Sequence, residues 1–268
     1  MNVLELFSGT GSVGKVCETM GWDVVSVDLE MKATHQMDIM DFDYKQYPSD
    51  YFSIVWASPP CQNYSICKNC WLGRPLKELG GKIYTEEIRE QLRQKSDKLV
   101  ERTFEIIEYF KPFAWYVENP DTSDLKNRTV MKDKPYYIVD YCMYSNWGYR
   151  KRTRIWSNVL TFKPKLCDGS GDCGNMIKIE NHNFHLTALG KTSQNKMVKK
   201  QHIESLGNGY EIINGEKVIC NTKEKIDKLR QLKKDNKHVS CVQSVGGGTD
   251  RLMRYRIPPD LVYDLLCV

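Results

Sequence analysis

Cys61 stands directly after two prolines in Trp56-Ala-Ser-Pro-Pro-Cys-Gln-Asn-Tyr-Ser65, and that setting stiffens the chain on one side of a single thiol. A thiol fixed in this way suits covalent attack on an electron-poor carbon. The ordinary alternative is a buried structural cysteine, the commoner fate of a free thiol. Glu118, in Val117-Glu-Asn-Pro120, is the second candidate. It leaves a strand-like run, and beside a strand-end cysteine its carboxyl group can deliver a proton, although simple turn chemistry would also place it there. Arg150, Arg152 and Arg154 alternate in Tyr149-Arg-Lys-Arg-Thr-Arg154, so on a strand they would share one face. Three guanidinium groups on a face repel one another unless an anion sits opposite; a solvated basic edge strand is the alternative.

A second chemistry lies at the N-terminus. Ser8-Gly-Thr-Gly-Ser12 follows a strand-like Asn2–Phe7 run and precedes Val13, Val16, Cys17 and Met20 at helical spacing. Gly9 and Gly11 let the backbone approach a ligand, and the helix that follows is expected to aim its N-terminal amides at it. Asp28 ends the next strand, Trp22–Val27, about twenty residues on, where a carboxylate accepts both ribose hydroxyls. Asp38 precedes another strand and is placed to take an adenine amino group. No GK[ST] follows the glycines, which disfavours a triphosphate. With a thiol close by, S-adenosylmethionine is the leading cofactor.

These residues need elements to position them. Tyr51–Ala57 reads as a buried strand ending at the prolines, and Phe113–Val117 as another, ending at Glu118. Between them, Gln62–Gly81 is a long basic loop able to close over a substrate, and Thr85–Phe110 is a long amphipathic helix stopped by Lys111-Pro112. Residues 136–157 hold two strand-like runs about a turn near Asn146–Gly148. Beyond Trp156 the texture becomes polar and irregular, with twelve Lys or Arg against six Asp or Glu from Lys191 to Lys237, a balance that suits a phosphate backbone. Cys67-x2-Cys70, and Cys167-x5-Cys173 with His182 and His185, have ligand-like spacing. Neither pair completes a site, so metal binding stays open.

The chain has 268 residues, 41% of them hydrophobic and 27% charged, enough to bury a full core. No apolar run reaches the roughly 18 residues of a membrane span, and no basic cleavable leader precedes the first strand. Ten scattered cysteines read as reduced thiols, implying an intracellular reducing compartment, cytoplasm or nucleus. A net charge of +5 permits a nucleic-acid partner.

Four stretches in order resemble the cytosine-5 DNA methyltransferases: LELFSGTGSVG from Leu4, SPPCQNYS from Ser58, VENP from Val117 and RKRTR from Arg150. The match spans roughly residues 2 to 156, and the ordered combination is far more specific than any one stretch. The resemblance implies an α/β, Rossmann-like class I S-adenosylmethionine-dependent methyltransferase fold with a small, mostly irregular target-recognition module. The catalytic domain would take residues 1–156 plus about 246–268, and the basic recognition region about 157–245. It implies methyl transfer to carbon 5 of cytosine in double-stranded DNA, with Cys61 forming a covalent adduct with a flipped-out base. Phe7, Gly9, Gly11, Asp28, Asp38, Ile39 and Pro60 would line the cofactor site. Glu118 would engage ring nitrogen 3, Arg152 and Arg154 the base and thiolate, and Pro60, Asn119 and Arg152 would bind the substrate. Ser58 and Pro59 replace residues that are commonly Gly or Phe in the family, Arg150 replaces a Gln, and the usual late Gly-Asn element is not recognisable. The chain thus resembles a divergent viral or phage-type member.

Three other readings stand beside it: a non-catalytic nucleic-acid-binding homologue, a tRNA methyltransferase, and a methyltransferase acting on an exocyclic amino group. The last has an aromatic residue after its paired prolines. Cys61 at that position, with Glu118 and the arginine pair, argues against it.

Overall fold

The computed structural model describes residues 1–179, 182–185, 187–189, 209–213, 216–220, 243–245 and 255–267. Its centre is set by short apolar runs whose residues are buried on both faces, the pattern of parallel strands covered on each side. These are β1 (Asn2–Leu6), β4 (Ile54–Ala57) and β5 (Ala114–Pro120); β2 (Asp23–Asp28), mostly half-buried, lies beside β1. With β3 (His35–Gln36), β6 (Tyr136–Asp140) and β7 (Arg152–Ser157) they form a seven-stranded sheet in the order β3-β2-β1-β4-β5-β7-β6. The first five strands pair in parallel, and β7 pairs antiparallel with β5. This mixed α/β sheet agrees with the Rossmann-like methyltransferase fold expected from the sequence.

Register sorts the side chains by face. Glu5, Trp56 and Tyr116 are successive partners across β1, β4 and β5, and two residues on in β5 Glu118 shares their face. On this face Trp56 and Tyr116 stack, with ring centroids 5.2 Å apart. The Tyr116 hydroxyl donates to the Leu265 carbonyl, 2.7 Å, on α3 (Pro259–Leu266). The other face carries Leu4, Leu6, Val55, Ala57 and Val117, packed with Val100, Ile106, Ile107 and Phe110 of α2 (Glu86–Phe110). Helix α2 starts where its cap dictates: the Thr85 side chain accepts the Ile88 N–H. It ends at Lys111 in a left-handed conformation, φ 46°, before Pro112.

Several boundaries differ from the sequence reading: β4 begins at Ile54 instead of Tyr51, and the short β3 precedes Asp38 instead of following it. Strand β5 runs on to Pro120, so Glu118 and Asn119 lie inside the ladder, opposite Ile155 and Arg154. Strand β7 begins only at Arg152, and Arg150 lies outside it. The Lys151 carbonyl accepts the Tyr141 amide, 3.1 Å, and Arg150 Nη2 donates to Asp140 Oδ2, 3.1 Å, so these contacts turn the chain before the ladder starts.

The chain divides into two compact units, one of residues 1–139, 152–165 and 257–268, the other of residues 140–151 and 166–256. The second unit thus takes in 140–151, and the C-terminal return to the first begins at 257. Its described strands pair as β8 (Met176–Ile179) with β9 (His182–His185), β10 (Thr187–Leu189) with β13 (Gln243–Val245), and β11 (Gly209–Ile213) with β12 (Glu216–Cys220). Apart from those strands, the basic stretch from Lys191 to Lys237 lies outside the described residues, as do Gly246–Gly248 and Arg251–Arg254. Among the described residues no helix is long and apolar enough to cross a membrane.

One buried acid shapes the N-terminal turn. Glu5 is 3% exposed in the middle of β1, and its carboxylate accepts the Val13 and Gly14 amides at 3.2 and 3.0 Å in the first turn of α1 (Ser12–Thr19). A Cβ on Gly14 would come within 2.8 Å of Glu5 Oε2, so only glycine lets the helix sit this close. These amides therefore face an internal acid instead of an external ligand. Burial pushes the Glu5 carboxyl from 4.5 up to about 7, against the pull of the two amides and Lys15. The folded chain then holds a proton that the unfolded chain releases near 4.5, so the stability from this group is full below that pH and is lost as pH rises to about 7. In urea unfolding, wild type should lose up to about 3 kcal/mol relative to Glu5→Gln across that window. A difference that does not vary with pH would contradict this.

Candidate functional site at the carboxyl edge of the sheet

Because β1, β2, β4 and β5 are parallel, their C-terminal ends share one edge, the usual place for ligands in such sheets. The turn after β1 is left-handed at three of five residues: Phe7, Gly9 and Gly11 have φ of 55°, 53° and 64°. Glycine adopts this backbone freely, whereas Phe7 is held in it at a cost of about 1–3 kcal/mol. Asp28, at the end of β2, pins the turn. Its Oδ2 accepts the Gly9 amide at 2.8 Å, and Oδ1 accepts the amides of Glu30 and Met31 at 2.9 and 2.7 Å. A carboxylate has about four acceptor positions, so roughly one stays available to a ligand hydroxyl.

Asp38 is half-buried; its Oδ1 accepts the Met40 amide, 3.0 Å, and Oδ2 takes no bond from a described residue. Ile39 is 4% exposed and packs into the core of the α2 face. Asp28 and Asp38 make this end of the sheet acidic, and Glu5 already accepts the helix amides that would cradle a phosphate. These acceptors fit a nucleoside that carries a cationic centre and no phosphate.

Two strands away, the Cys61 loop is held at both ends. Pro59 is buried and its carbonyl accepts Asn119 Nδ2 at 2.8 Å, a bond from β5 across to the loop that leaves β4. Asn119 is 1% exposed, and its Oδ1 is buried without a hydrogen-bond partner among the described residues. Pro60 is exposed, and Cys61, half-buried, accepts the Tyr64 amide at its carbonyl, 3.1 Å. Downstream, Asn63 Nδ2 donates to Ser96 Oγ at 2.9 Å and the Tyr64 hydroxyl to Asp97 Oδ1 at 2.9 Å, both on α2. Arg128 fixes that carboxylate through Nη2 at 2.6 Å and reaches Glu90 at 2.7 Å. Burial and the bond to Asp97 push the Tyr64 phenol far above its ordinary range, so it stays a donor. Arg128 holds the Glu90 carboxyl below the usual range. The segment from Gln62 to Gly81 forms short 3₁₀ turns and is tied to α2 by Arg89, whose Nη1 donates to Asn69 Oδ1 at 2.6 Å.

Glu118 is 6% exposed, on the face opposite its neighbour Asn119. Arg154 pairs with Asn119 in the ladder and shares its face; Nε donates to Asp121 Oδ1 at 3.0 Å, and the guanidinium lies 3.8 Å from the Tyr136 ring centroid. Arg152 is exposed at the start of β7, and its carbonyl accepts the Asp121 amide at 3.0 Å. The structure therefore joins the Cys61 loop to the end of β5 and joins Arg154 to Asp121. Sequence reasoning did not find Asp121, Asp97 or Arg128: each acts through a partner distant in sequence, and no local pattern marks it.

No family model matches the chain. A curated protein of Frog virus 3 (isolate Goorha), named "Probable DNA (cytosine-5)-methyltransferase", is 42% identical over 178 residues, covering 66% of this chain and 79% of the relative. A solved structure from E. coli, a "putative DNA modification methyltransferase" encoded within a prophage, aligns with a TM-score of 0.41 and 14% identity over 63% of this chain and 52% of that one. The identity to the frog virus protein, sustained over most of that protein's length, is far too high for unrelated chains of the same fold class: this chain belongs to the DNA (cytosine-5)-methyltransferase family.

Proposed function

We propose that this chain transfers a methyl group from S-adenosylmethionine to carbon 5 of a cytosine in double-stranded DNA, with Cys61 as the nucleophile. The reading is carried by the 2.8 Å hydrogen bond from Asn119 to the Pro59 carbonyl, which ties the loop bearing the thiol to the strand end bearing Glu118. Family membership supports it, as does the acidic, phosphate-averse turn beyond β1.

When bound, S-adenosylmethionine supplies an electrophilic methyl group on a sulfonium. Phe7, Gly9 and Gly11 line its site, the remaining acceptor position of Asp28 takes a ribose hydroxyl, and Asp38 Oδ2 takes the adenine amino group. Ile39, buried in the core, contributes the floor of that pocket, and exposed Pro60 lies between cofactor and base. The target cytosine must leave the duplex, because none of its reacting atoms is accessible in the stack.

Carbon 5 of cytosine is a weak nucleophile. The Cys61 thiolate adds to carbon 6 while Glu118 gives a proton to nitrogen 3, so the electron pair displaced by sulfur is held as an enamine instead of a carbanion. Carbon 5 then takes the methyl group as the methyl–sulfonium bond breaks and leaves a neutral thioether. Return of the nitrogen 3 proton to Glu118, loss of the carbon 5 proton to a base and expulsion of the thiolate from carbon 6 restore the neutral aromatic ring. Asn119 keeps the thiol and acid in register. Arg154, locked to Asp121 and Tyr136, shapes the wall of the site, and Arg152, exposed at the start of β7, contacts the flipped nucleotide.

Cys61→Ser should abolish methyl transfer and retain duplex binding, and DNA containing 5-fluorocytosine should capture wild type covalently, with the adduct mapping to the Cys61 peptide. Methylation by Cys61→Ser, an adduct on another residue, or tRNA methylated in preference to duplex DNA would overturn the reading. Asn119→Ala strands a buried carbonyl and loosens the loop. It should cost about 1–3 kcal/mol of unfolding free energy and about 10²-fold in single-turnover rate. An unchanged rate would remove Asn119 from the positioning role.

A further inference from the structure

The second unit holds a cluster of sulfur and imidazole groups of its own. Cys142 follows β6 in a 3₁₀ turn, Cys167 lies in the extended segment before β8, Cys173 sits in the turn Asp168–Gly174, and His185 ends β9. One ligand atom from each of the four lies within 4.8 Å of all the others. His185 Nε2 is 3.7 Å from Cys167 Sγ and 3.8 Å from Cys173 Sγ, and all three cysteines are unbridged thiols. A zinc tetrahedron with Zn–S about 2.3 Å and Zn–N about 2.0–2.1 Å has S···N edges of about 3.6 Å and S···S edges of about 3.8 Å. The two S···N separations have that size, and every other pair of ligand atoms lies within 4.8 Å.

Outer residues hold the ligands in place. Asp140, fully buried, accepts the Cys167 amide at 2.9 Å and the Arg150 guanidinium at 3.1 Å through the same oxygen. Asn175, 2% exposed, donates from Nδ2 to the carbonyls of Cys142 and Cys173 at 2.8 and 2.9 Å, and its Oδ1 accepts the Gly148 amide at 2.9 Å. Gly169, Gly171 and Gly174 have φ of 89°, 110° and 67°, which lets the turn between Cys167 and Cys173 close tightly. Buried polar residues that fix the backbones of three ligands are what an inner set of metal ligands needs around it. The exposed pair Cys67 and Cys70, which has the more familiar spacing, is not part of this group; the Cys70 thiol donates to the Cys67 carbonyl.

We propose that Cys142, Cys167, Cys173 and His185 bind a structural zinc ion that holds the second unit together. Three soft thiolates and one imidazole select zinc over harder cations, and four protein ligands leave no open position for catalysis. Binding one Zn²⁺ forms three Zn–S bonds and one Zn–N bond and releases three thiol protons, with no change of oxidation state. The ion would join segments as far apart as residues 142 and 185, stabilising a unit built from short strand pairs.

Full-length protein purified without chelator should contain one zinc per chain, and X-ray absorption at the zinc edge should give three sulfurs at about 2.3 Å and one nitrogen at about 2.0–2.1 Å. Exchange into cobalt should produce a thiolate-to-cobalt charge-transfer band. Cys173→Ser and His185→Ala should lose the ion, and Cys67→Ser with Cys70→Ser should keep it. If Cys173→Ser does not fold, the wild-type metal content and absorption spectrum decide. Folded wild type without zinc and without a cobalt–thiolate band would overturn the proposal, as would metal lost only from the Cys67 and Cys70 double variant.

Discussion

The hydrogen bond from Asn119 to Pro59 is the constraint on which the site depends. Two consecutive prolines supply no amide donors, so the loop leaving β4 cannot continue the ladder onto β5, and the buried Pro59 carbonyl needs a donor from elsewhere. Asn119 is that donor, and it adjoins Glu118 in the same strand. The far end of the loop is fixed by different means, through Asn63 and Tyr64 to α2 and through Asp97 to Arg128. Cys61, half-buried, therefore lies between two anchors on separate elements. A reactive group held this way avoids most of the orientational entropy that a mobile loop would cost at the moment of reaction.

The other end of the sheet edge is governed by charge. Helix N-termini usually attract anions, but here Glu5 satisfies the first amides of α1 from inside the fold. Burying that acid costs stability at neutral pH. The same bonds occupy the amides that would give a glycine turn its phosphate-binding character, and they leave Asp28 and Asp38 as the carboxylates to which the proposed function assigns the cofactor contacts.

Much of the first unit was legible in the sequence because its signals are local. Glycines at left-handed positions, apolar runs of strand length, Thr85 as a cap and Lys111-Pro112 as a stop each act over a few residues; the helix bounds match them closely, while strand ends differ by up to three residues. What stayed hidden depends on partners far away in the chain. Nothing local marked Glu5 within Asn2–Phe7, because its target is the start of α1. Arg150 looked like part of a basic strand because alternation cannot reveal that Asp140 draws it aside. Cys167 and Cys173 with His182 and His185 had ligand-like spacing, which did not single out His185 and lacked Cys142, brought in by a turn after β6 from 25 residues before Cys167. Pairing across a fold leaves no periodic trace, so only the three-dimensional arrangement shows it.

The most direct test of this account is a crystal structure of the chain captured on duplex DNA containing 5-fluorocytosine. The account predicts continuous density from Cys61 Sγ to carbon 6 of an extruded base, Glu118 within hydrogen-bonding distance of nitrogen 3, and Asn119 still bonded to the Pro59 carbonyl. A base bound with Glu118 turned into a separate cavity, or a covalent link to any other residue, would contradict it.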